Sequence, residues 1–236
     1  FGSTLAKTAP LLMCTLSVLF AYKVGLFNIG ASGQYAVGAG FALYFGIHYG
    51  APWWLCLLLA MLGGAALGAI AGALKAYLNV NEVIACIMLN WISLYAVNTV
   101  LTEVKESGTT YTLPLRTNNP NALIPHLGLQ HYLCGIEQWS CAQTAVPNMG
   151  FNGIAAAFLG GIHPIGVIFS SFFIQHITSG GAYVDKMVYC SQISDLIAAI
   201  IIYFCGFVLF FKHVMRTRIR KTEDKKVKSA DKKGGE

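Results

Sequence analysis

The stretch WWLCLLLAMLGGAALGAIAGAL, residues 53–74, contains no charged residue, and Lys75 follows it directly. A helix needs about 20 predominantly apolar residues to cross the hydrocarbon core of a bilayer. The composition agrees, because 56% of the 236 residues are hydrophobic and only 11% are charged, against about 25% charged in soluble domains. A soluble all-α protein is the competing interpretation, and the length of the apolar run disfavours it. The stretch therefore predicts a membrane-spanning helix.

Other apolar runs of similar length flank this one, interrupted by short polar segments. They predict further membrane-spanning helices at residues 5–22, 31–48, 83–101 and 193–211. The chain is therefore predicted to be an all-α integral membrane protein, a multi-span helical bundle. Residues 1–211 form its transmembrane domain, and residues 212–236 are predicted to be a disordered basic tail.

The charge pattern predicts how the chain is oriented. Ten of the sixteen basic residues lie from Lys212 onward, and the rest of the chain is balanced. The positive-inside rule places this C-terminal tail in the cytoplasm, which puts Lys23 and Lys75 inside and the polar loop 102–125 outside. The tail is either a topology determinant or a segment that binds anionic membrane lipid. The neutral remainder disfavours nucleic acid as a partner.

Residues 150–177 are apolar but broken at Gly160-Gly161-Ile162-His163-Pro164. Two short arms joined by Gly and Pro predict a re-entrant hairpin, since both ends of this region have to lie outside. Irregular backbone inside a membrane is tolerated only where it is buried in protein or lines a cavity. The hairpin is therefore expected beside a pathway.

Polar residues interrupt the apolar runs at two further places. The segment GLFNIGASGQ, residues 25–34, contains Asn28, Ser32 and Gln34, and Asn90 lies within the predicted span 83–101. Burying an uncompensated amide costs about 2–7 kcal/mol, so such groups usually have a partner or a function. One interpretation is a helix break with Asn28 as a cap; the other is a polar lining for a substrate path. Asn81 is expected to be the N-cap of the next helix.

Gly64, Gly68 and Gly72 recur every four residues in the charge-free run. Small residues at this spacing line one helix face and favour close helix packing. No P-loop is present and the histidines lack metal-ligand spacing. The sequence predicts no catalytic residue, no metal site and no cofactor of its own, and hence no enzyme.

Several motifs together resemble a known family. LFNIGASGQY, residues 26–35, resembles the signature of bacterial ABC-transporter permeases of the branched-chain amino acid and simple-sugar superfamily. LKAYLNVNEVI at 74–84 and MLNWI at 88–92 look closer to its nucleoside and sugar branch, as do GFNGIA at 150–155 and LGGIHPIG at 159–166.

The resemblance implies an importer of a nucleoside or a simple sugar in the bacterial plasma membrane. It implies separate ATPase subunits that bind the ATP, an extracellular substrate-binding protein or lipoprotein, and a second permease chain. By position in the matching motifs, it implies that four residues line the substrate path: Asn28, Gln34, Asn90 and Asn152.

The sequence departs from the family pattern at two places. Ser32 stands where the family more often has Glu. After Pro125 the chain lacks a further span and a cytoplasmic loop that family members have, which indicates an internal deletion. An uncoupled deletion remnant, and a secondary transporter or channel that needs no ATPase, are therefore the alternative functions.

Overall fold

The computed structural model describes residues 2–124 and 138–181, together with 190, 193–194, 196–201, 203–204 and 207. The chain divides into two units, Phe1–Gly180 and Gly181–Glu236. In the second unit the described residues from 193 to 207 are helical, within the span predicted at 193–211. The remainder of that span and the tail 212–236 lie outside the described residues.

The first unit consists of the helices α1 Gly2–Lys23, α2 Ala31–His48, α3 Trp53–Leu78, α4 Glu82–Leu101, the single turn α5 Leu115–Asn118, α6 Met149–Leu159 and α7 Pro164–Gly180. A long segment, residues 102–148, separates α4 from α6. Among the described residues the only β-pairing is two isolated bridges. The predicted all-α class is confirmed. The segments Thr4–Lys23, Trp53–Leu78 and Glu82–Val104 are long and apolar enough to cross a membrane.

Asparagines set the sharp corner between α3 and α4. Asn79 ends α3 in the left-handed conformation, with φ of 49°, and its N–H bonds to the Leu74 carbonyl. Asn81 begins α4, and its side chain accepts a hydrogen bond of 2.9 Å from the Val83 N–H. The predicted N-cap role of Asn81 is confirmed. Glu82 in the first turn suits the positive end of the helix dipole.

Helix α2 is the centre of the unit, since it packs against α3 on one side and against α4 on the other. Glycines make these contacts close: a Cβ on Gly38 would lie 3.2 Å from the Ala60 carbonyl oxygen, and one on Gly40 would lie 2.9 Å from Val97. The glycines and polar residues of α2 make it less apolar than its neighbours. It is not among the helices that meet the length and hydropathy of a membrane span, so its predicted crossing stays a prediction.

The two ends of the bundle differ. At the cap end, residues 102–124 and 138–146 cover the turn between α2 and α3. Asn119 donates to the carbonyls of Gly46, at 2.9 Å, and Ala51, at 3.0 Å. The Trp139 indole N–H donates to the Asn98 side chain at 2.8 Å. The opposite, junction end holds the α1–α2 connection and the α3–α4 corner.

Helices α6 and α7 form a hairpin packed on α1. The turn between them has positive φ at Gly161, 66°, and at Ile162, 57°. The Phe158 ring contacts those of Tyr22 and Phe27, with centroid distances of 5.8 and 6.4 Å, so the turn lies at the junction end. The break predicted at Gly160–Pro164 is confirmed, whereas the re-entrant path through a membrane stays a prediction.

Candidate functional site: a polar junction inside the helical bundle

The connection between α1 and α2 folds into the bundle instead of lying on its surface. The Phe27 N–H donates to Glu82 Oε1 at 3.2 Å, level with the start of α4. The Ile29 carbonyl accepts from Asn90 Nδ2 at 3.1 Å. Since a helix rises 1.5 Å per residue, Asn90 lies about 12 Å further along α4 than Glu82. The connection therefore penetrates deep into the unit.

Asn90 fixes this connection through both atoms of its side-chain amide. It is 2% exposed, and its Oδ1 accepts from the Gly33 N–H at 2.8 Å. That N–H belongs to the first turn of α2, whose donors have no partner within the helix. The close approach requires Gly33, because a Cβ there would lie 2.8 Å from Asn90 Oδ1 and 3.0 Å from its Cα. Asn90 thus positions the start of α2.

Asn28 and Gln34 meet in a second polar contact, which also includes Ser17 of α1. Asn28 Nδ2 donates to Ser17 Oγ at 2.9 Å and to Gln34 Oε1 at 3.2 Å. The Ser17 hydroxyl lies 3.5 Å from the same Gln34 oxygen. All three side chains are partly buried. We refer to Ser17, Asn28 and Gln34 as the junction network.

The interpretation of Asn28 as a helix cap is wrong. The N-cap of α2 is Gly30, and no side chain caps that end. The Asn28 amide instead bridges α1 and α2, because the connection folds back towards Ser17. Ser17 was not singled out from the sequence: it is a lone hydroxyl in an apolar run, and only the tertiary packing brings it to Asn28.

Helix α3 closes the network from the other side through two of its small residues. A Cβ on Gly64 would lie 3.3 Å from the Gln34 carbonyl oxygen, and one on Gly68 would lie 2.9 Å from Gln34 Nε2. Gly72, predicted to pack in the same way, has nothing within 4 Å of a Cβ in the described part of the chain.

Asn152 stands apart from the other predicted path residues. It is partly buried on α6, and no hydrogen bond among the described residues joins its side chain to the junction network. Its neighbour Gly150 packs against Ser32 so closely that a Cβ would lie 2.8 Å from the Ser32 Cα. The structure thus brings Asn28 and Gln34 together, places Asn90 of α4 against the same connection, and leaves Asn152 on α6.

The charges near the site lie at its junction-end rim. Lys75 Nζ is 3.8 Å from Glu82 Oε2, so this pair ties the end of α3 to the start of α4 and, through Phe27, to the connection. In the described part of the chain, the interior of the site carries amides, hydroxyls and the buried Cys86 thiol, which lies beside Gly30. Among the described residues, no group of three or more His, Cys, Asp or Glu is placed to hold a metal ion.

Unfilled hydrogen-bonding capacity remains in the network. Within the described residues, neither Asn28 Oδ1 nor Gln34 Nε2 has a hydrogen-bond partner, so one acceptor and one donor remain. Such neutral groups can bind a neutral polar solute without the desolvation cost of a buried charge. Fold and site together define a multi-pass helical membrane protein with an uncharged polar interior.

The comparison with protein families identifies the class. The family described as the permease component of the branched-chain amino acid transport system matches residues 1–121. This chain belongs to that family of membrane permease components, which are transporters and not enzymes.

Curated relatives refine the comparison. The guanosine ABC transporter permease NupP of Bacillus subtilis is 39% identical over 107 residues, which cover 44% of this chain and 31% of that protein. The nucleoside ABC transporter permease NupB of Lactococcus lactis is 26% identical over 317 residues, covering all of this chain and 85% of NupB. The glucose ABC transporter permease TsgB13 of Haloferax volcanii is 30% identical over 136 residues, or 55% of this chain and 36% of that protein. No solved structure matches the chain significantly.

The alignments cover these relatives to very different extents. The chain spans less than a third of NupP. The NupB alignment extends over 317 residues although this chain has 236, so it contains long gaps opposite this chain.

Proposed function

We propose that this chain is the permease subunit of an ABC importer that moves a nucleoside across a bacterial plasma membrane, driven by a separate ATPase subunit. The observation that carries the proposal is the junction network, where Asn28 and Gln34 present unfilled amide groups within an apolar bundle. Family membership and the nucleoside relatives support the same function. The glucose relative keeps a simple sugar as the second substrate class.

The chemistry of the network suits a nucleoside. The edges of a nucleobase present hydrogen-bond donors and acceptors side by side, and ribose adds hydroxyl groups that do both. An amide offers both functions as well. Asn28 Oδ1 would accept from such a solute and Gln34 Nε2 would donate to it, while Asn90 holds the backbone around them in place.

We propose that the junction end faces the cytoplasm. Lys23 and Lys75 lie at that end, and basic residues favour the cytoplasmic side. ATPase subunits would then dock at the junction end, and a substrate-binding protein or lipoprotein would deliver the solute at the cap end. A second permease chain would complete the path, with the largely exposed α3 facing membrane lipid or that chain. Met61, 68% exposed, and Ile70, 50% exposed, lie on it.

A secondary transporter is the weaker candidate. Such proteins commonly use ionisable residues at mid-membrane depth. In α1 to α4 the Asp, Glu, Lys and Arg residues are Lys7, Lys23, Lys75 and Glu82, all within two turns of a helix end.

An uncoupled deletion form is the second candidate that a specific observation favours. The NupB alignment supports a missing internal segment, since it extends well beyond the length of this chain. We propose that the segment is missing after Pro125, where the family pattern is interrupted. If the ATPase needs that segment, the chain would insert into membranes and retain the junction network without responding to ATP.

The test is guanosine uptake by the full chain in proteoliposomes that also contain its ATPase and substrate-binding protein. We expect ATP-dependent guanosine uptake and guanosine-stimulated ATP hydrolysis. Loss of both, restored by inserting the NupB segment that aligns after Pro125, would establish the uncoupled form. Uptake that proceeds without ATP would establish the secondary transporter.

Two matched variants test whether uptake depends on the junction network. Gln34→Met keeps the size of the side chain and removes its hydrogen bonds, so the half-saturating guanosine concentration should rise about tenfold for a loss of about 1.4 kcal/mol. Gln143→Met makes the same change in the cap, where the amide donates to the Ala145 carbonyl at 3.1 Å and to no other described residue. It should leave uptake unchanged, and an equal effect of both variants would contradict the role of the network.

A further inference from the structure

The helices α3 and α4 both leave a long apolar face exposed, but they differ in where their aromatic residues lie. On α3, Trp54 is the second residue and Tyr77 is the second from the end. The exposed side chains between them, such as Met61 and Leu62, carry no N–H or O–H group. Trp and Tyr at the two ends of an apolar helix are typical of a face that contacts lipid, because their polar groups then lie at the two membrane interfaces.

On α4 the exposed aromatic residues lie in the middle of the helix instead. Trp91 and Tyr95 are both exposed, and their rings stack with centroids 6.2 Å apart. Since a helix rises 1.5 Å per residue, they lie about 14 and 20 Å from Glu82, inside a hydrocarbon core about 30 Å thick. Neither the Trp91 indole N–H nor the Tyr95 hydroxyl has a hydrogen-bond partner among the described residues. Lipid chains offer none, so contact with lipid would leave both groups unsatisfied.

Two contacts define the register of the antiparallel helices α3 and α4. Lys75 Nζ lies 3.8 Å from Glu82 Oε2. Further into the bundle, a Cβ on Gly33 would lie 3.1 Å from Leu67 and 2.8 Å from Asn90 Oδ1. Leu67 lies eight residues before Lys75, and Asn90 lies eight residues after Glu82. Residues of α4 are therefore level with the residues of α3 that lie equally far from this ion pair.

This register places the two kinds of face at the same depth. Tyr95 and Leu62 both lie 13 residues from the ion pair, and they are 55% and 57% exposed. Trp91 is level with Ala66, which is also exposed. Depth and exposure therefore do not explain why rings with unfilled hydrogen-bond donors lie on α4 and not on α3. A different neighbour does, because the middle of α3 suits lipid and the middle of α4 suits a protein surface.

The exposed side of α4 is suited to contact with a copy of itself. Five exposed residues recur there at spacings of three and four and so share one side of the helix. We call them the α4 face: Ile84, Met88, Trp91, Tyr95 and Thr99. Residues 83–102 contain no charged residue, so two such faces can approach without repulsion between like charges.

Two-fold symmetry would bring matching residues of the α4 face together. Two copies that insert in the same orientation can be related by an axis perpendicular to the membrane, so the same residues meet at the same depth. The Trp91 and Tyr95 rings of one copy then stack on those of the other. The Thr99 hydroxyl donates to the Tyr95 carbonyl at 2.9 Å and keeps its lone pairs as acceptors for the Tyr95 hydroxyl of the second copy. Lipid provides neither contact.

We propose that the α4 face docks on the same face of a second copy of this chain, and that the exposed face of α3 contacts lipid. Trp91 and Tyr95 form the centre of the contact. The inference rests on the proposed function, which requires a second permease chain, and it identifies both that chain and the surface that binds it. Association of two copies needs neither solute nor ATP, so it is measurable without transport.

Oxidative cross-linking in membranes of the expressing cells provides the first test. Met88→Cys lies on the α4 face, and Ile70→Cys lies on α3 within one residue of the same depth; the replaced side chains are 59% and 50% exposed. Each is introduced into the full chain after the seven native cysteines are replaced by alanine. Met88→Cys should form a disulfide-linked dimer at least about tenfold faster, since a disulfide requires two cysteines in close approach.

Three outcomes would overturn the inference. Equal, slow cross-linking of the two cysteines would mean that lipid covers both faces. Faster cross-linking of Ile70→Cys would move the contact to α3. Cross-linking of Met88→Cys only to a different, co-expressed permease chain that carries a cysteine at the matching position would show that the occupant is not a second copy.

Replacing the rings provides the second test. In the Met88→Cys chain, Trp91→Leu together with Tyr95→Leu should slow cross-linking at least about tenfold, because leucine suits lipid and cannot make the ring contacts. Trp54→Leu together with Tyr77→Leu makes the same change on α3 and should leave the rate unchanged. Equal rates in the two double variants would contradict the role of the α4 rings.

Guanosine uptake by the reduced Met88→Cys chain separates this inference from the proposed function. Uptake by a chain that does not cross-link overturns the α4 contact and leaves the proposed function standing. Cross-linking of a chain that takes up no guanosine supports the α4 contact and counts against the proposed function.

Discussion

Asn90 shows how one side chain sets the geometry of the whole site. Its amide pairs with the Gly33 N–H and with the Ile29 carbonyl, two backbone groups that are left without a helix partner where the chain enters α2. A buried backbone group that loses its partner costs about 1–3 kcal/mol. Asn90 therefore holds the backbone at the start of α2 in place.

We expect Asn90→Leu to lower the thermal midpoint of the detergent-solubilised protein by about 5–10 °C, at about 2–4 °C per kcal/mol for a chain of this size. The matched control is Ser93→Ala on the same helix, which removes a buried hydroxyl that has no hydrogen-bond partner among the described residues. That change should leave the midpoint unchanged or raise it slightly. Equal thermal midpoints for the two variants would contradict the structural role of Asn90. Fluorescence-detected size-exclusion chromatography after heating measures both.

Cys141 reports on the electrostatics of the cap. Burial raises the pKa of its thiol, and the Lys105 charge acts in the opposite direction. Because alkylation requires the thiolate, Cys141 should react with a maleimide more slowly than an ordinary cysteine at pH 8. Lys105→Gln removes the charge that stabilises the thiolate, so the pKa should rise further and the reaction should slow again.

The pH profile of a single-cysteine variant that retains only Cys141 tests the direction in which Lys105 shifts the pKa of that thiol. The ratio of the reaction rates of that variant without and with the Lys105→Gln change should be largest below the thiol pKa. The ratio should fall to one once both thiols are ionised. Lys75→Gln, at the opposite end of the bundle, is the control and should leave the profile unchanged. A faster reaction after Lys105→Gln would contradict the assignment.

Among the elements, α3 shows what a glycine repeat in the sequence can and cannot predict about helix packing. Gly64, Gly68 and Gly72 recur every four residues, which predicts one common packing face, yet of these three only Gly64 and Gly68 lie against α2 in the described part of the chain. Helix α2 begins close to the level where Gly68 meets Gln34, so it does not extend as far along α3 as Gly72. The repeat indicates the face of the helix but not how far the partner helix extends.

We therefore expect Gly68→Ala and Gly72→Ala to differ. A Cβ at Gly68 would displace Gln34 Nε2 and disturb the junction network, so guanosine uptake should fall several-fold. A Cβ at Gly72 enters open space, and alanine favours a helix over glycine by up to about 1 kcal/mol. Uptake by Gly72→Ala should equal that of the parent chain, and its thermal midpoint should not fall. Equal losses of uptake in both variants would show that the two glycines share one packing role.

The helices themselves were largely predictable, because apolar run lengths and polar interruptions are local properties. The predicted spans 5–22, 31–48, 53–74 and 83–101 all correspond to helices. Helix α3 continues to Leu78 because Lys75 and the residues after it suit a helix, and it ends only at the left-handed Asn79. The α6–α7 break was predictable for the same reason, since Gly160, Gly161 and Pro164 interrupt the helix whatever surrounds them.

The contacts between helices were not predictable in the same way. Thr15 and Ser171 are far apart in the sequence, and nothing in either local pattern indicates that they pair. The role of Ser17 and the contact between Thr15 and Ser171 are therefore visible only in the folded chain. Asn28 was identified as a polar residue at a helix break, but its two interpretations could be separated only by the position of α1.

At the scale of the whole molecule, the two ends of the bundle carry different kinds of polar structure. The cap end is a folded surface, in which loop residues bond back onto the α2–α3 turn and Trp139 is buried beside Asn98. The junction end consists of short connections whose described charges include the Lys75–Glu82 pair. Short turns suit the cytoplasmic side proposed for the junction end, and a folded cap suits docking of an external protein.

This arrangement predicts how two engineered cysteines react in intact cells. Thr109→Cys lies on the exposed surface of the cap loop, and Tyr77→Cys replaces a side chain that is 87% exposed at the junction end. With the native cysteines replaced, an impermeant maleimide should label Thr109→Cys from outside and should reach Tyr77→Cys only after the membrane is opened. Both sites are exposed, so folding and intrinsic reactivity do not distinguish them, and the membrane is the one barrier that does. The reverse pattern would place the junction network at the external face, where ATPase subunits could not dock, and would count against an ATP-driven importer as a whole.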